Sequence, residues 1–185
     1  MSEYSAQERE QLLHLARQSI AAHLRGEPLP KAEFPAHLNE PRGAFCTLHL
    51  HGKLRGCIGY VEPLFPLWQT VVQTAVAAAS EDPRFEPLSV DELPHIQIEL
   101  SVMSLLRPIT PEEVEVGVHG LMISHGGRRG LLLPQVATEW GFDRETFLTE
   151  TCHKAGLRGD CWKHGATIQA FTAEVFGEPA GAVSA

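Results

Sequence analysis

The segment Leu54-Arg55-Gly56-Cys57-Ile58-Gly59 concentrates the chemistry that this chain's residue types allow. In an extended strand Arg55 and Cys57 fall on one side, where the cation would favour thiolate over thiol and so create a nucleophile. Gly56 and Gly59 have no side chains, so a ligand or another stretch of backbone can come close, and amide hydrogens can be aimed at an anion. The same pattern describes a packed strand, because free cysteine is among the most buried residue types and glycine marks many bulges. Both readings stay open on spacing alone.

Other groups are less specific. His49 and His51 lie two apart on one strand, and Cys161 and His164 are separated by two residues, a reach that could ligate one ion. Neither pair is matched by a second pair of standard spacing, and Cys-x-x-Cys and His-Glu-x-x-His are absent, so no metal site is assigned. Gly-x-Ser-x-Gly and Gly-x-x-x-x-Gly-Lys-Ser/Thr are also missing, which removes the usual hydrolase elbow and phosphate loop. The run Gly126-Gly127-Arg128-Arg129-Gly130 could grip a phosphate or carboxylate, but a Gly-rich hairpin turn explains it as well. His95 and Glu99 fall on the polar side of a strand, where a carboxylate could orient a base.

The elements that must position these residues can be read from periodicity. Ser5 and Glu8 fit a capping box, after which Leu12, Ala16, Ile20 and Leu24 predict a helix ending at Gly26. Pro28, Pro30, Pro35 and Pro41 make the following stretch a connector. Strands are expected over 44–50 and 54–61, joined by His51-Gly52-Lys53, and a helix over 67–80. Asp82-Pro83-Arg84-Phe85-Glu86-Pro87 breaks that helix, and a strand alternates from Ile96 to Val102. Further strands are expected over 116–124, 130–133 and 168–176, with a helix over 143–155. Helices bracket antiparallel strands instead of alternating with them, so the class is α+β.

Composition sets outer bounds. A chain of 185 residues with 43% hydrophobic and 21% charged residues is globular, and its length suffices to bury a core without covalent staples. The net charge of −8 argues against non-specific nucleic-acid binding, though not against a local basic pocket. No apolar run is long enough for a membrane span, and the polar start, Met1 to Glu10, lacks a secretory pattern, which points to the cytoplasm. Cys46, Cys57, Cys152 and Cys161 are accordingly expected as free thiols, and Trp68, Trp140 and Trp162 as core residues.

From about Ala44 to Phe176 the chain resembles the AMMECR domain family. The residues that carry the likeness are Leu-Arg-Gly-Cys-Ile-Gly at 54–59, Asp-Pro-Arg-Phe at 82–85, Glu-Leu-Ser-Val at 99–102, Val-Gly-Val-His-Gly at 116–120, Leu-Leu-Pro-Gln-Val-Ala at 132–137 and Lys-Ala-Gly-Leu at 154–157. The first is specific and the rest occur in the right order. The single-domain length resembles the prokaryotic branch called AmmeMemoRadiSam system protein A, which implies association with a Memo-like protein and a radical SAM protein. The resemblance also implies an α+β core with a smaller lobe forming a cleft, in a fold group that includes nucleotide-, nucleic-acid- and peptide-binding modules. It implies no reaction and no cofactor. It marks Arg55, Gly56, Cys57, Gly59, Arg84, His119 and Lys154 as family positions.

The expected organisation is a helix and Pro-rich connector over 1–42, an AMMECR-type domain over 43–178 and a tail over 179–185. Two functions follow. One is a cysteine-dependent enzyme or processing factor with Cys57 as nucleophile, Arg55 as its activator and His119 as general base. Gly56, Gly59, Arg84 and Lys154 would then bind a small anionic ligand or nucleotide. The other is a non-catalytic module that binds a nucleotide, RNA, peptide or protein in its cleft.

Overall fold

Both ends of the opening helix are set by the residues that flank it. In the computed structural model, which describes residues 2–179, α1 spans Ala6–Arg25. The Ser5 hydroxyl accepts from the Glu8 amide, the Glu8 carboxylate accepts from the Ser5 amide, and Gly26 closes the helix at φ 68°. A left-handed residue there suits glycine, which has no Cβ to clash. Leu12, Ala16 and Ile20 are fully buried along one stripe, each Leu or Ile stabilising the fold by about 2 kcal/mol.

The remaining elements follow in chain order: β1 (Ala44–Leu50), β2 (Lys53–Tyr60), α2 (Leu67–Ser80), β3 (Ile96–Met103), β4 (Arg107–Pro108), β5 (Gly120–His125), β6 (Arg128–Leu132), α3 (Pro134–Glu139), α4 (Arg144–Lys154), β7 (Thr167–Phe171) and β8 (Ala173–Gly177). The described residues form two four-stranded sheets, ordered β2-β1-β3-β8 and β4-β7-β5-β6, with antiparallel pairing of β1 to β2 and β3, and of β5 to β6 and β7. The α+β class is therefore observed, with antiparallel sheets and flanking helices. No helix among the described residues is long and apolar enough to cross a membrane.

The described residues divide into two compact units, the first running to Met103 and resuming at Glu174, the second spanning Ser104–Ala173. In the first, α1 and α2 cover one sheet face, where Leu12, Ile20, Val71 and Ala75 meet Cys46, Leu48, Ile98 and Leu100 in one core. The β1 pattern alternates buried with half-buried residues, so Phe45, Thr47 and His49 share the opposite face. In the second unit α4 packs on β5 and β6, and Leu121, Ile123, Phe147, Leu148 and Ile168 form a separate core.

Several expectations need correction. Residues 116–119 form a turn, not the start of a strand: Gly117 has φ 86°, and the Val118 and His119 amides both donate to the Glu115 carbonyl. The run read as one strand over 168–176 is two, β7 and β8, which belong to different sheets. The helix α3 and the two-residue β4 were not foreseen. Trp140 is 74% exposed, contrary to a core role. Cys152 and Cys161 are joined in a disulfide, so only Cys46 and Cys57 are free. Chain reversal after α4 brings those two sulfurs together, and spacing along the chain does not reveal it. Of the tail expected over 179–185, residues 180–185 lie outside the described residues.

Candidate thiol site

Cys57 lies on β2, the edge strand of its sheet, directly opposite Thr47 on β1. Residues in register share a face, so the thiol is on the half-buried side away from α2, and Thr47 in turn sits opposite Glu99 on β3. A thiol, a hydroxyl and a carboxylate thus form one row across three strands. The Cys57 sulfur is 3.2 Å from the Thr47 hydroxyl oxygen, a hydrogen bond in which either can donate.

Being on an edge, Cys57 has an amide hydrogen that no strand needs. It donates to Asp82 Oδ2 at 2.9 Å. Asp82 is only 5% exposed and is held immediately beyond α2 by the Asp-Pro turn. Its Oδ1 accepts from the Arg84 amide at 3.1 Å, an Asx-type turn, while Arg84 Nε and Nη2 reach Oδ1 at 3.0 Å and Oδ2 at 2.7 Å. Hydrogen bonds from the Arg84 side chain and from the Cys57 and Arg84 amides hold the Asp82 carboxyl far below the usual carboxylate range, against an opposing cost of burial. One buried carboxylate therefore ties the backbone of the thiol to a guanidinium. The Arg84 side chain is 55% exposed and stacks its charge over the Phe85 ring at 5.5 Å.

Arg55 serves a different contact. The β1–β2 register shifts between Leu48 and His49, leaving Arg55 as the extra residue of a β-bulge, and a bulge re-aims its side chain. Its Nε and Nη2 donate to the two Glu92 carboxylate oxygens at 2.9 and 3.1 Å, and Nη1 donates to the Glu86 carbonyl at 2.9 Å. That pairing, led by the Arg55 hydrogen bonds, depresses Glu92 to about 2. The guanidinium expected beside Cys57 is thus turned to Glu92, and the one linked to the Cys57 backbone, through Asp82, is that of Arg84.

The two glycines of the motif admit backbone. A Cβ on Gly56 would lie 2.1 Å from the Ala78 carbonyl oxygen of α2, and one on Gly59 would lie 2.3 Å from the Ala44 carbonyl oxygen. Close approach is real at both positions, with the protein's own main chain filling the space.

His119 and Lys154 belong to the second unit. His119 is 7% exposed; its Nδ1 accepts from the Glu115 amide at 3.0 Å and its Nε2 is 3.3 Å from Arg107 Nη2. Burial first, then the Arg107 charge, lowers its pKa and favours the neutral ring. Lys154 is exposed in the last turn of α4. Gly126 and Gly127 have φ 57° and 78°, the conformation a two-residue hairpin turn demands, and Arg128 Nη1 donates to the Gly156 carbonyl at 2.9 Å. His51 sits in its turn 6.0 Å from the His95 ring, and no group of three or more potential metal ligands occurs among the described residues.

The residues missed by the sequence reading are Thr47 and Asp82. Thr47 was legible only as one member of an alternating strand. Asp82 carried a usable signal, since Asp followed by Pro and Arg invites an Asx turn, but its reach to the edge of β2 depends on how α2 packs. A groove of about 1120 Å³ beside α1, lined by Tyr4, Arg9, Leu13, His14, Arg17 and Phe176, contains none of these groups. Chemistry, not volume, singles out the thiol.

Comparison with known sequences supplies context for this geometry. A sequence model of the family described as AMMECR1 matches residues 13–176, starting within α1. A protein of Methanothermobacter thermautotrophicus is 45% identical over 178 residues, covering 90% of this chain and 92% of the relative. A protein of Pyrococcus furiosus is 43% identical over 181 residues, covering 90% and 86%. An uncharacterised protein of Pyrococcus horikoshii, known from its crystal structure, is similar in fold with a TM-score of 0.74 and 40% identity, covering 91% of this chain and 90% of its own.

Proposed function

The chain belongs to the AMMECR1 family, a name that assigns no reaction, and from that premise we propose that it is a thiol-dependent protein in which Cys57 is the nucleophile. The observation that carries this reading is the polar setting of a half-buried free thiol: a hydroxyl at 3.2 Å, and a backbone amide that shares Asp82 Oδ2 with the Arg84 guanidinium. Cys46, by contrast, is wholly buried among apolar groups, which push its thiol far up. A cysteine needs little help to act near neutrality, since a few per cent is already ionised. In the elementary step the sulfur lone pair forms a bond to an electrophilic carbon, the leaving group departs with its electron pair, and the thiol proton passes to water.

In this reading Thr47 orients the sulfur and Asp82 positions the strand edge. Arg55 braces the bulge through Glu92, and Gly56 and Gly59 allow close packing. His119 and Lys154 receive no role in the step. We also propose, from the polar N-terminus, a cytoplasmic location and, from the resemblance to the AmmeMemoRadiSam system, association with a Memo-like and a radical SAM protein; failure of both to co-purify would remove that association.

Alkylation kinetics test the thiol. Iodoacetamide at neutral pH, with the modified peptide mapped by mass spectrometry, should label Cys57 several-fold faster than free glutathione and leave Cys46 untouched. A Cys57 rate equal to or below that of glutathione would replace nucleophilic use with the binding-module reading, in which Cys57→Ala retains function.

A further inference from the structure

The arrangement of Asp82 and Arg84 is more elaborate than a salt bridge needs. Asp82 is buried and uses both carboxylate oxygens on Arg84 while also holding the Cys57 amide. Arg84 is fixed from two sides, by that fork and by the Phe85 ring. A guanidinium presents five N–H donors, and the fork engages Nε and one terminal nitrogen. The other terminal nitrogen, Nη1, stays on a side chain that is 55% exposed. The entropy of fixing a long side chain has thus been spent in the folded protein, so an incoming anion would meet donors already in place. Arg55 makes a useful contrast, because Glu92 and the Glu86 carbonyl engage all three of its nitrogens.

Resting on the thiol reading above, we propose that Arg84 is the specificity determinant of the site and that the substrate class is an electrophile bearing a carboxylate or phosphate beside its reactive carbon. The Asp82 carboxylate sets the spacing between the anion-binding nitrogen and the sulfur, since its Oδ2 accepts from both the Cys57 amide and Arg84 Nη2. Neutral electrophiles would reach the sulfur without this guidance.

A pair of isosteric probes separates the two ideas. Iodoacetate and iodoacetamide alkylate the same sulfur, each forming a carbon–sulfur bond with loss of iodide and release of the thiol proton, but only the first carries a charge. The ratio of their rates at Cys57 should exceed the same ratio for free glutathione by about tenfold, the factor one charge-assisted hydrogen bond is worth. Arg84→Gln should return the ratio to the glutathione value, and Arg84→Lys, which keeps the charge without the fork, should give an intermediate value that falls with added salt. Circular dichroism confirms folding, and Arg84→Lys carries the test if Arg84→Gln does not fold. A ratio equal to that of glutathione in the parent, or unchanged in the Arg84 variants, overturns the anion specificity alone. Slow labelling by both reagents overturns the thiol reading itself.

Discussion

The two units each build a four-stranded sheet with helices packed against it, yet they dispose of their cysteines in opposite ways. In the first unit Cys46 on β1 and Cys57 on β2 lie on opposite faces of one sheet, buried in the core and half-buried among polar groups respectively, and neither forms a disulfide. In the second, Cys152 at the end of α4 and Cys161 nine residues later close a covalent loop inside the core. The Cys57 thiol stays free on a polar sheet face. A sulfur pair sealed in an apolar cluster contributes to stability.

The first unit's packing is the place where that contrast breaks most easily. Gly56→Ala sets a Cβ against an α2 carbonyl that cannot rotate away, and should cost about 3 kcal/mol, at the upper end of overpacking penalties. Urea unfolding monitors it; a neutral result would mean that α2 does not sit this close to β2. In the second unit the covalent loop predicts that Cys152→Ser loses about 2.5 kcal/mol, the chain-entropy value for a loop of this length. Addition of a dithiol reductant should reproduce much of that loss in the parent and none in the variant. Equal stability with and without reductant would erase the difference between the units.

The two units also differ in their response to acid. Asp82 and Glu92 have pKa values below their ordinary 3.8 and 4.5, so each contributes stability above its unfolded value and loses it as pH falls through the folded one. For Glu92 that window runs from about 4.5 down to about 2. His119 also titrates below its ordinary 6.5, but its favoured form is neutral, so its contribution is present above 6.5 and declines as pH falls below it. The second unit's acid sensitivity should therefore begin higher. Asp82→Asn should flatten stability against pH below about 4, whereas His119→Gln should flatten it just below 6.5; the reverse assignment would contradict both sets of contacts. The smallest effect is expected at the opening cap, where Ser5→Ala should lower stability by about 1 kcal/mol, readable as a small shift in the thermal midpoint.

How much was legible in the sequence varied with the range of the interaction. Ser5, Glu8 and Gly26 bound α1 through contacts within a turn of the chain, and the expected bounds of β1 and α2 agree with the structure. The Leu54–Gly59 motif was correctly placed on a strand after a tight turn. Val116 and Val118 misled because β-branched residues favour strands, whereas the Glu115 carbonyl and a left-handed Gly117 turned the chain there. The apolar alternation from Ile168 to Phe176 is the same whether a chain stays in one sheet or passes to another at Thr172.

For the site itself, residue type and local period determined that a thiol, two glycines and an arginine would lie along one strand. They could not decide which arginine is tied to the Cys57 backbone, because a single bulge redirects Arg55 and a buried aspartate 25 residues from Cys57 holds Arg84. Nor could they pair Cys152 with Cys161. Hydrophobic period and capping act over one or two turns, so the chain encodes them in adjacent letters. Strand order, bulge position and the reach of a carboxylate depend on how helices seat against a sheet, and that is settled only when distant segments pack together.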